Sequence, residues 1–340
     1  MKKNYFMLAA AATLFAACAE TDVINDINEK ESALQEIGFD AFANKTTRAE
    51  ITEEGILKQE NYGFKVWGYK GVYTVFDGVS VTWRANETPA HWGYDNIQYW
   101  DETATYNFYA VAPADGNSSI SDGKISINNV TSALATASKD YLIDREGNTG
   151  VDGSKKEIQS FDFNHIMAKL SFVLKKAESI TGAVTVTSLK MSGWNNDIGN
   201  FTQSLVITPT DNSHGEWSFT NDDVTPGTFS IIDSEFPLNQ AAGNKAENEY
   251  IVVPQTILYN APVTDDAGTV ITPESGLTFT ISYKIGAEEF NNQVGVITAD
   301  QIWGTDTHTT YTITVGPAAI EFDVENVTGF QPRTGSTTIQ

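Results

Sequence analysis

The chain has 340 residues, of which 44 are acidic and 21 are Lys or Arg, so its formal net charge is −23 and its pI is near 4.4. This acidity argues against nucleic acid as a partner, because phosphate binding depends on Lys and Arg that displace counterions. It also argues against adsorption to anionic lipid surfaces. The length that follows an N-terminal leader, about 320 residues, suits two domains of ordinary size.

The N-terminus has the pattern of a bacterial lipoprotein signal peptide. Lys2 and Lys3 precede an apolar run over residues 5–17, which is too short for a membrane-spanning helix and ends in small residues before Cys18. The pattern predicts a signal peptide over residues 1–17 and a diacylglyceryl group on Cys18, whose acyl chains hold the protein in a membrane. An ordinary secretory leader cut nearby is the alternative. Cys18 is the only cysteine in the sequence, so no disulfide is expected.

A candidate strand follows the leader. Residues 19–36 are polar and acidic and are predicted to be a tether. Over residues 37–43 apolar side chains alternate, which predicts a first strand with one face formed by Ile37, Phe39, Ala41 and Ala43. Residues 44–50 are polar again and contain Lys45 and Arg48, a basic pair between two acidic segments.

Short runs rich in β-branched and aromatic residues occupy almost all of the remaining chain and are separated by Gly, Asn, Asp and Pro. This spacing is typical of β-sandwiches, and no stretch of twelve residues after the leader keeps an apolar stripe at helical spacing. Residues 147–156, rich in Gly, Asp, Ser and Lys, are predicted to be a linker. The sequence therefore predicts an all-β fold of two tandem antiparallel β-sandwiches, over residues 49–157 and 158–340.

Patterns of catalytic or metal-binding residues are missing from the sequence. The histidines at positions 91, 165, 214 and 308 have no helical pairing and no neighbouring cysteine, and there is no phosphate loop, dinucleotide fingerprint or nucleophile elbow. We therefore expect no cofactor, no metal and no enzyme activity. His165, at the start of a predicted strand, is expected to be partly buried and bonded to the backbone. A lipid-anchored hydrolase ranks last among the functions considered, since no catalytic pair of carboxylates can be recognised.

Aromatic residues concentrate between positions 92 and 109. Their rings have an apolar face and, in Tyr and Trp, a polar atom, so they suit either the core of a sandwich or a platform on which sugars stack. We favour the core, and the sugar platform is the alternative. The residues concerned are Trp92, Tyr94, Tyr99, Trp100, Tyr106, Phe108 and Tyr109.

Several stretches, taken with the lipoprotein leader, form a recognisable combination: residues 37–39 (IGF), 45–49 (KTTRA), 99–101 (YWD), 106–110 (YNFYA), 163–170 (FNHIMAKL) and 250–255 (YIVVPQ). In this combination the chain resembles the fimbrillin family, the Mfa-like subunits of type V pili, from its leader to its C-terminus. The resemblance implies two transthyretin-like β-sandwich domains and export as an outer-membrane lipoprotein.

The resemblance also implies that an Arg-specific protease at the cell surface removes the N-terminal segment. On this chain the scissile bond is Arg48–Ala49, so residues 18–48 form a lipid-anchored propeptide that carries the first strand. Loss of that strand would open an apolar groove with unpaired edges, which a strand of a neighbouring subunit can fill. The implied partners are other fimbrial subunits, the protease and the outer membrane, with a host or bacterial surface ligand for an adhesive fimbria.

The C-terminal part contains a candidate donor strand. Ile320, Phe322 and Val324 alternate with acidic residues, which predicts an amphipathic strand. This strand could equally be the last strand of the second domain. Residues 331–340 are polar and would fill an apolar groove poorly, so the choice between a stalk subunit and a tip or accessory subunit stays open. The alternative function is a monomeric surface lipoprotein that stays anchored by Cys18 and binds glycans through its aromatic residues.

Overall fold

A computed structural model of the chain describes residues 34–43, 55, 57–60, 62–137, 139–144, 147–205, 215–221, 225–238, 243–316, 320–328 and 338–339. Most of these residues are in β-strands, which confirms the predicted all-β fold. Cys18, Arg48 and Ala49 lie outside the described residues. Among the described residues, no helix has the length and apolar character that crossing a membrane requires.

The strands before residue 166 are β1 (Phe39–Ala43), β2 (Phe64–Lys70), β3 (Tyr73–Arg84), β4 (His91–Gly93), β5 (Thr105–Ala112), β6 (Ser118–Ser121), β7 (Lys124–Val130), β8 (Ala133–Leu134), β9 (Leu142–Asp144), β10 (Asn148–Asp152) and β11 (Gln159–His165). A short 3₁₀ helix, Gly153–Lys155, lies between β10 and β11.

The strands after residue 166 are β12 (Ala168–Lys176), β13 (Val184–Asn195), β14 (Gly199–Ser204), β15 (Glu216–Phe219), β16 (Pro226–Ile232), β17 (Phe236–Leu238), β18 (Asn244–Lys245), β19 (Tyr250–Val252), β20 (Gln255–Ile257), β21 (Val263–Thr264), β22 (Val270–Thr272), β23 (Thr278–Ile285), β24 (Glu288–Val296), β25 (Gln301–Trp303), β26 (Thr307–Val315), β27 (Ile320–Thr328) and β28 (Thr338–Ile339).

Eight strands form the first sheet, in the order β1-β11-β9-β5-β2-β3-β4, with β10 paired to β5. Neighbours in this sheet are antiparallel except for β1 and β11, which are parallel. Alternate residues of β11 are buried, as expected for a strand with one face on a core. That face meets an aromatic-rich group, the first core, which includes Phe39, Phe64, Phe76, Tyr94, Trp100, Phe108, Phe161 and Phe163.

Two further sheets enclose a second core. One has the order β28-β27-β26-β12-β19-β8, with β18 on β12, and the other has the order β16-β13-β23-β24, with β17 on β13. Residues from both sheets meet in this core, where the ring centroids of Phe172 on β12 and Phe279 on β23 are 6.3 Å apart. This packing of one sheet on another is the arrangement of a β-sandwich.

A four-stranded sheet, β15-β14-β7-β6, covers the other face of the first sheet. Ile125 on β7 and Phe201 on β14 pack with Val111 of β5 in a third core. Strand pairing therefore crosses residue 157, since β11 pairs with β9, β14 with β7, and β19 with β8. These pairings join residues 49–157 to residues 158–340. The division of the chain into domains over these two ranges stays a prediction.

The predicted linker over residues 147–156 is instead ordered structure. Its first half is β10, which pairs with β5, and its second half contains the 3₁₀ helix, where the Asp152 side chain accepts a hydrogen bond from the Ser154 amide. Gly147 has a φ of +63°, and a Cβ there would lie 2.7 Å from the carbonyl oxygen of Phe108. The glycine that suggested a linker thus allows β10 to approach β5 closely.

Candidate functional site

The segment over residues 35–43 is bonded to the rest of the protein along both edges. β1 pairs in parallel with β11 from Phe39 opposite Gln159 to Ala43 opposite Phe163. Before the strand begins, the amide of Ile37 donates to the carbonyl of Gln98 at 2.9 Å. The amide of Trp100 also donates to the carbonyl of Gln35 at 3.0 Å. The segment therefore lies between β11 and residues 98–100.

The side chains of this segment fill the first core. Ile37 and Ala41 are 0% exposed and Phe39 is 5% exposed. The ring centroid of Phe39 lies 5.2 Å from that of Phe76, 5.5 Å from that of Tyr94, 5.9 Å from that of Phe108 and 5.8 Å from that of Phe161. We call these four rings the Phe39 pocket. Ala43 ends β1, and its side chain is outside the described atoms.

Tyr94 connects the pocket to the backbone of the segment. Its hydroxyl donates to the carbonyl of Ile37 at 2.9 Å. Burial raises the pKa of Tyr94 to about 12, so this hydroxyl stays protonated and remains a donor at any physiological pH. The contact joins a side chain of the pocket to the main chain of the segment that fills it.

The segment contributes a large part of the stability of the first core. Burying an Ile or a Phe side chain fully is worth about 1.5–3 kcal/mol each, and each favourable aromatic pair adds about 0.5–1.5 kcal/mol. A whole domain is stable by only about 5–15 kcal/mol. Removing residues 35–43 would therefore open a hydrophobic groove and cost a substantial fraction of the stability around it.

The aromatic residues between positions 92 and 109 form core rather than a sugar platform. Trp92, Tyr94, Trp100, Tyr106, Phe108 and Tyr109 are all buried, and of the seven only Tyr99 is exposed, at 48%. Buried rings such as those of Tyr106 and Phe108, which are 1% and 0% exposed and stack with centroids 5.6 Å apart, leave no face for a sugar. The platform interpretation is wrong for the six buried residues, and the core interpretation is confirmed for them.

The candidate C-terminal strand is observed as β27. It pairs antiparallel with β26 over nine residues, from Ile320 opposite Val315 to Thr328 opposite Thr307, and its outer edge carries the two-residue strand β28. Val324 is 9% exposed and belongs to the second core. The structure thus shows β27 as the last long strand of this sheet, while its role as a donor to another subunit stays a prediction.

His165 is buried, as expected from its place in a strand, and its ring pairs with a carboxylate. Its Nδ1 lies 2.5 Å from Oδ2 of Asp140, whose carbonyl accepts a hydrogen bond from the hydroxyl of Tyr62 at 2.6 Å. Asp140 is 25 residues away in sequence, and no local pattern indicates the pair. Burial raises the pKa of Tyr62 well above its ordinary value.

A second polar cluster lies on the sheet that contains β12 and β26. The Ser171 hydroxyl donates to Oε1 of Glu249 at 2.7 Å and lies 2.7 Å from Nε2 of His308. Lys169 and Lys245 pair with the same carboxylate at 3.0 and 2.5 Å. Burial raises the pKa of Glu249, but hydrogen bonds from Lys245 and Ser171 and the charge of Lys169 outweigh it and hold the pKa at about 2.

These contacts satisfy the charged groups with one another rather than directing them toward a ligand. The described residues contain no group of three or more His, Cys, Asp or Glu side chains that could hold a metal ion. Within the described ranges, the candidate functional site is therefore the segment over residues 35–43 in its groove. It is a strand held by the protein, and nothing in its geometry is suited to chemistry on a small molecule.

The fold and this site define an all-β protein of stacked sheets that holds its own N-terminal strand in an aromatic groove. The model of the fimbrillin-like family matches residues 41–329, so the chain belongs to that family. Membership agrees with the predicted role as a fimbrial protein of the cell surface and not an enzyme. No curated protein matches the chain.

One solved structure shows the same fold at low sequence identity. The chain is similar to a fimbrial protein from Bacteroides vulgatus with a TM-score of 0.55 and 16% identity, over 87% of this chain and 99% of that one. Two weaker matches are a candidate cell adhesion protein from Bacteroides uniformis, with 13% identity, a TM-score of 0.48 and coverages of 88% and 98%, and a fimbrial assembly protein from Parabacteroides distasonis, with 12% identity, a TM-score of 0.34 and coverages of 82% and 91%. The fold comparison depends on the first of the three.

Proposed function

We propose that this fimbrial subunit is made as a lipid-anchored precursor, is cut after Arg48, and assembles by strand exchange. The observation that carries the proposal is the position of residues 35–43. They fill the first core with Ile37 and Phe39 and are bonded on both edges, and a cut after Arg48 would separate them from everything that follows.

The position of the Arg48–Ala49 bond matters because β1 ends at Ala43, five residues before Arg48. After the cut, β1 is held only by its hydrogen bonds and its packing. Its departure would leave the edge of β11 unpaired and the Phe39 pocket open, and such an edge is a template for another strand. A strand from a neighbouring subunit would restore both the ladder and the packing.

The contact between such subunits is directional. The donor strand and the acceptor groove are different surfaces of one chain, so each subunit can give one strand and receive another without closing a ring. This geometry suits a filament. In the precursor the groove is already full, so the same segment prevents assembly until the protease acts.

Lipidation of Cys18 would determine where the precursor is located before it is cut. A diacylglyceryl group on Cys18 would hold the precursor in the outer membrane. Because Cys18 and β1 lie on the same side of Arg48 in the sequence, one cut would release the body of the protein from the lipid and from its blocking strand together. The released subunit would then belong to the fimbria at the cell surface.

The first test is the N-terminus of the mature protein on the cell surface. We expect N-terminal sequencing to begin at Ala49, and we expect Arg48→Ala to leave the uncut precursor. Arg84→Ala is a matched control, because Arg84 is paired with Glu87 at 3.3 Å and Asp95 at 3.2 Å within the fold and should not affect the cut. An acylated Cys18 as the sole N-terminus would contradict the proposal and favour the anchored monomer.

The second test is assembly in solution. Purified precursor treated with an Arg-specific protease should form filaments or ladders by electron microscopy and gel electrophoresis, and the Arg48→Ala precursor under the same treatment should stay monomeric. If wild-type protein that is cut after Arg48 and has lost β1 stays monomeric at high concentration, strand exchange is not its mode of assembly.

A further inference from the structure

A cleft of about 560 Å³ lies beside the connection between β3 and β4. Its volume is within the roughly 300–1,000 Å³ that small-molecule sites occupy. The cleft is formed by the end of β3, by residues that follow β3 and β4, and by the turn before β2. Its lining includes Lys58, Trp83, Arg84, Asn86, Glu87 and Asp95. It is therefore separate from the groove that holds β1 and from the two polar clusters described above.

Trp83 gives the cleft an aromatic surface that the first core supports. Trp83 is partly exposed and faces Trp92 across the pairing of β3 with β4, with ring centroids 5.4 Å apart and an angle of 71° between the rings. Trp92 is buried, and its ring centroid lies 5.0 Å from that of Phe64. The indole of Trp83 thus rests on rings that are themselves fixed by packing, so a ligand would meet a preorganised surface.

Arg84 fixes the charged part of the lining. Its Nη1 lies 3.3 Å from Oε1 of Glu87, and its Nη2 lies 3.2 Å from Oδ1 of Asp95. Gly93 on the neighbouring strand β4 leaves room for this side chain, because a Cβ there would clash with Nε and Cδ of Arg84. The side chains of Glu87 and Asp95 are nevertheless 50% and 94% exposed, so their carboxylates retain lone pairs that can accept hydrogen bonds from a ligand.

The ammonium of Lys58 lies 4.0 Å from the ring centroid of Trp83. This contact shows that the face of the indole can be reached from the cleft. Lys58 and Trp83 are both partly exposed, and a cation–π contact at such a site is weak. A ligand that covers the indole can therefore take the place of the ammonium, which would stay close enough to donate hydrogen bonds to that ligand.

The composition of the lining favours a sugar over an apolar ligand. A pyranose ring has a face of C–H groups, which packs on an aromatic ring, and a rim of hydroxyls that both donate and accept hydrogen bonds. The cleft offers the indole for the face and the amide of Asn86 for the hydroxyls. The ammonium of Lys58 adds donors, and the carboxylates of Glu87 and Asp95 add acceptors. An apolar ligand would cover these polar groups without giving them partners.

The charges of the lining select among sugars. Glu60, Glu87 and Asp95 share the cleft with two cations, Lys58 and Arg84, and the whole chain has a formal net charge of −23. An excess of carboxylates on a protein of this charge repels a sialic acid, a uronic acid or a sulfated sugar. The lining therefore favours an uncharged glycan.

We propose that this cleft binds an uncharged glycan, with one pyranose ring stacked on Trp83 and its hydroxyls bonded to Asn86, Glu87 and Asp95. The cleft is present in the uncut chain, so the inference goes beyond the proposed function and does not depend on strand exchange. It also uses a different ring from the aromatic group between positions 92 and 109.

A single cleft of this kind is open to solvent and should bind one glycan weakly. In a fimbria, however, every subunit would carry the same cleft, and a surface that displays the glycan would meet many copies together. Linked sites can bind about 10²–10⁴-fold more strongly than either site alone. Weak binding by each subunit is therefore sufficient for a filament to hold to a surface.

The test uses the uncut precursor carrying Arg48→Ala, so that assembly plays no part in it. The probes are immobilised oligosaccharides that end in galactose, glucose, mannose or N-acetylglucosamine, each beside its sialylated or sulfated form. We expect at least one uncharged glycan to retain the precursor, and its charged form to bind at least about tenfold more weakly. Retention by none of the uncharged glycans, or stronger retention by the charged forms, would overturn the proposal.

Substitutions then locate the site. Trp83→Ala should weaken binding of the retained glycan by at least about tenfold, and Trp83→Phe, which keeps a ring, should weaken it less. Because Trp83 packs on the first core, a second variant is needed that leaves the core intact. Asn86 is exposed in the connection between β3 and β4, and Asn86→Ala should weaken binding by about three- to tenfold through the loss of hydrogen bonds.

Tyr73→Ala is the matched control for these variants. Tyr73 is also an aromatic residue of β3 and is 71% exposed, but it lies outside the lining of the cleft. Its loss should leave glycan binding within about twofold of the unsubstituted precursor. Binding that is unchanged in both Trp83→Ala and Asn86→Ala would overturn the proposed site.

The outcomes for the cleft and for assembly can be told apart. A chain that binds an uncharged glycan through Trp83 but does not assemble after the cut would contradict the proposed function alone. A chain that assembles after the cut but leaves every uncharged glycan unbound would contradict this inference alone.

Discussion

The strands β1 and β27 are held in different ways, although residues 37–40, which lead into β1, and residues 320–323, which begin β27, both read Ile-x-Phe-Asp. β1 pairs with β11, whose residues lie 120 positions later, and it is parallel to that strand over five residues. β27 follows β26 directly in the chain and is antiparallel to it over nine residues. β27 therefore has the longer and more local ladder, whereas the short ladder of β1 is supplemented by the ring contacts of Phe39.

Because of this difference, we expect the two strands to respond differently when one buried side chain is removed. A strand with a long, local ladder keeps its place when one side chain is lost. A strand with a short, nonlocal ladder depends on its anchors, and β1 has the ring of Phe39 in contact with four others. Substitutions at Phe39 and Val324 test this contrast between the two strands and between the cores that they complete.

The largest effect should come from Phe39→Ala in the uncut chain. Loss of a buried phenyl ring costs about 3–5 kcal/mol in the free energy of unfolding, and Phe39 makes four of the ring contacts of the first core. Denaturant unfolding of the full chain measures this change. Tyr73→Ala is the matched control, because Tyr73 is in the same sheet but 71% exposed. Equal, small losses for both variants would mean that β1 is not held by its ring.

Glu249→Gln should have the next largest effect on the free energy of unfolding. Glu249 contacts Lys169 and Ser171 on β12, in a sheet of the second core. The pKa of Glu249 falls from 4.5 to about 2 on folding, so its charge contributes roughly 1–2 kcal/mol at neutral pH after solvent screening of a partly exposed group. This contribution is fully present above pH 4.5 and is lost as the pH falls toward 2. Wild type and Glu249→Gln should therefore differ at pH 7 and converge near pH 2 in unfolding experiments. A constant difference over this range would show that packing, not charge, is responsible.

Val324→Ala should have a moderate effect on the uncut chain. The change removes two methyl groups from a side chain in the second core, at about 0.8 kcal/mol for each buried group, so we expect a loss of about 2 kcal/mol. Chemical denaturation gives the value. The nine-residue ladder with β26 should keep β27 in place, and the amides of β26 should retain their protection from hydrogen exchange. Loss of that protection would show that β27 depends on side chains as much as β1 does.

The smallest effect should come from Tyr99→Ala. Tyr99 pairs with Glu36 through the backbone and its ring is 48% exposed, so we expect the free energy of unfolding to change by less than about 0.5 kcal/mol. The same variant tests the glycan alternative, because Tyr99 is the exposed member of the aromatic group. Retardation of wild type on a glycan affinity gel, lost in Tyr99→Ala, would support that alternative.

Local patterns predicted the strands that matter most. The alternation of Ile37, Phe39 and Ala41 indicated a strand with one buried face, and the structure places these three side chains in the first core. The alternation after Ile320 likewise indicated a strand, observed as β27. Such patterns are visible because one face of a strand is apolar whatever its neighbour is.

The partners of these strands could not be predicted. Nothing near Phe39 indicates that β11 lies beside it, and nothing near Ser171 indicates Glu249, 78 residues away, or His308, 137 residues away. Contacts of this kind are chosen by the packing of whole sheets, and no local periodicity reports them. The predicted linker over residues 147–156 was wrong for a similar reason, because Gly147 serves a close approach to β5 that only the assembled sheet reveals.

The covalent link between β1 and the rest of the chain determines how strongly a five-residue ladder can hold β1 in its groove. While residues 44–63 join Ala43 to β2, β1 is tethered to its own groove and acts at an effective concentration of about millimolar, whatever the concentration of the protein. A competing strand of equal affinity from another molecule has to exceed that effective concentration in order to displace β1. Once the tether is cut, β1 can diffuse away and its effective concentration falls to that of a dilute peptide. Cleavage of one peptide bond would thus change the same five-residue pairing from a lasting contact to a replaceable one, without altering any atom in the groove.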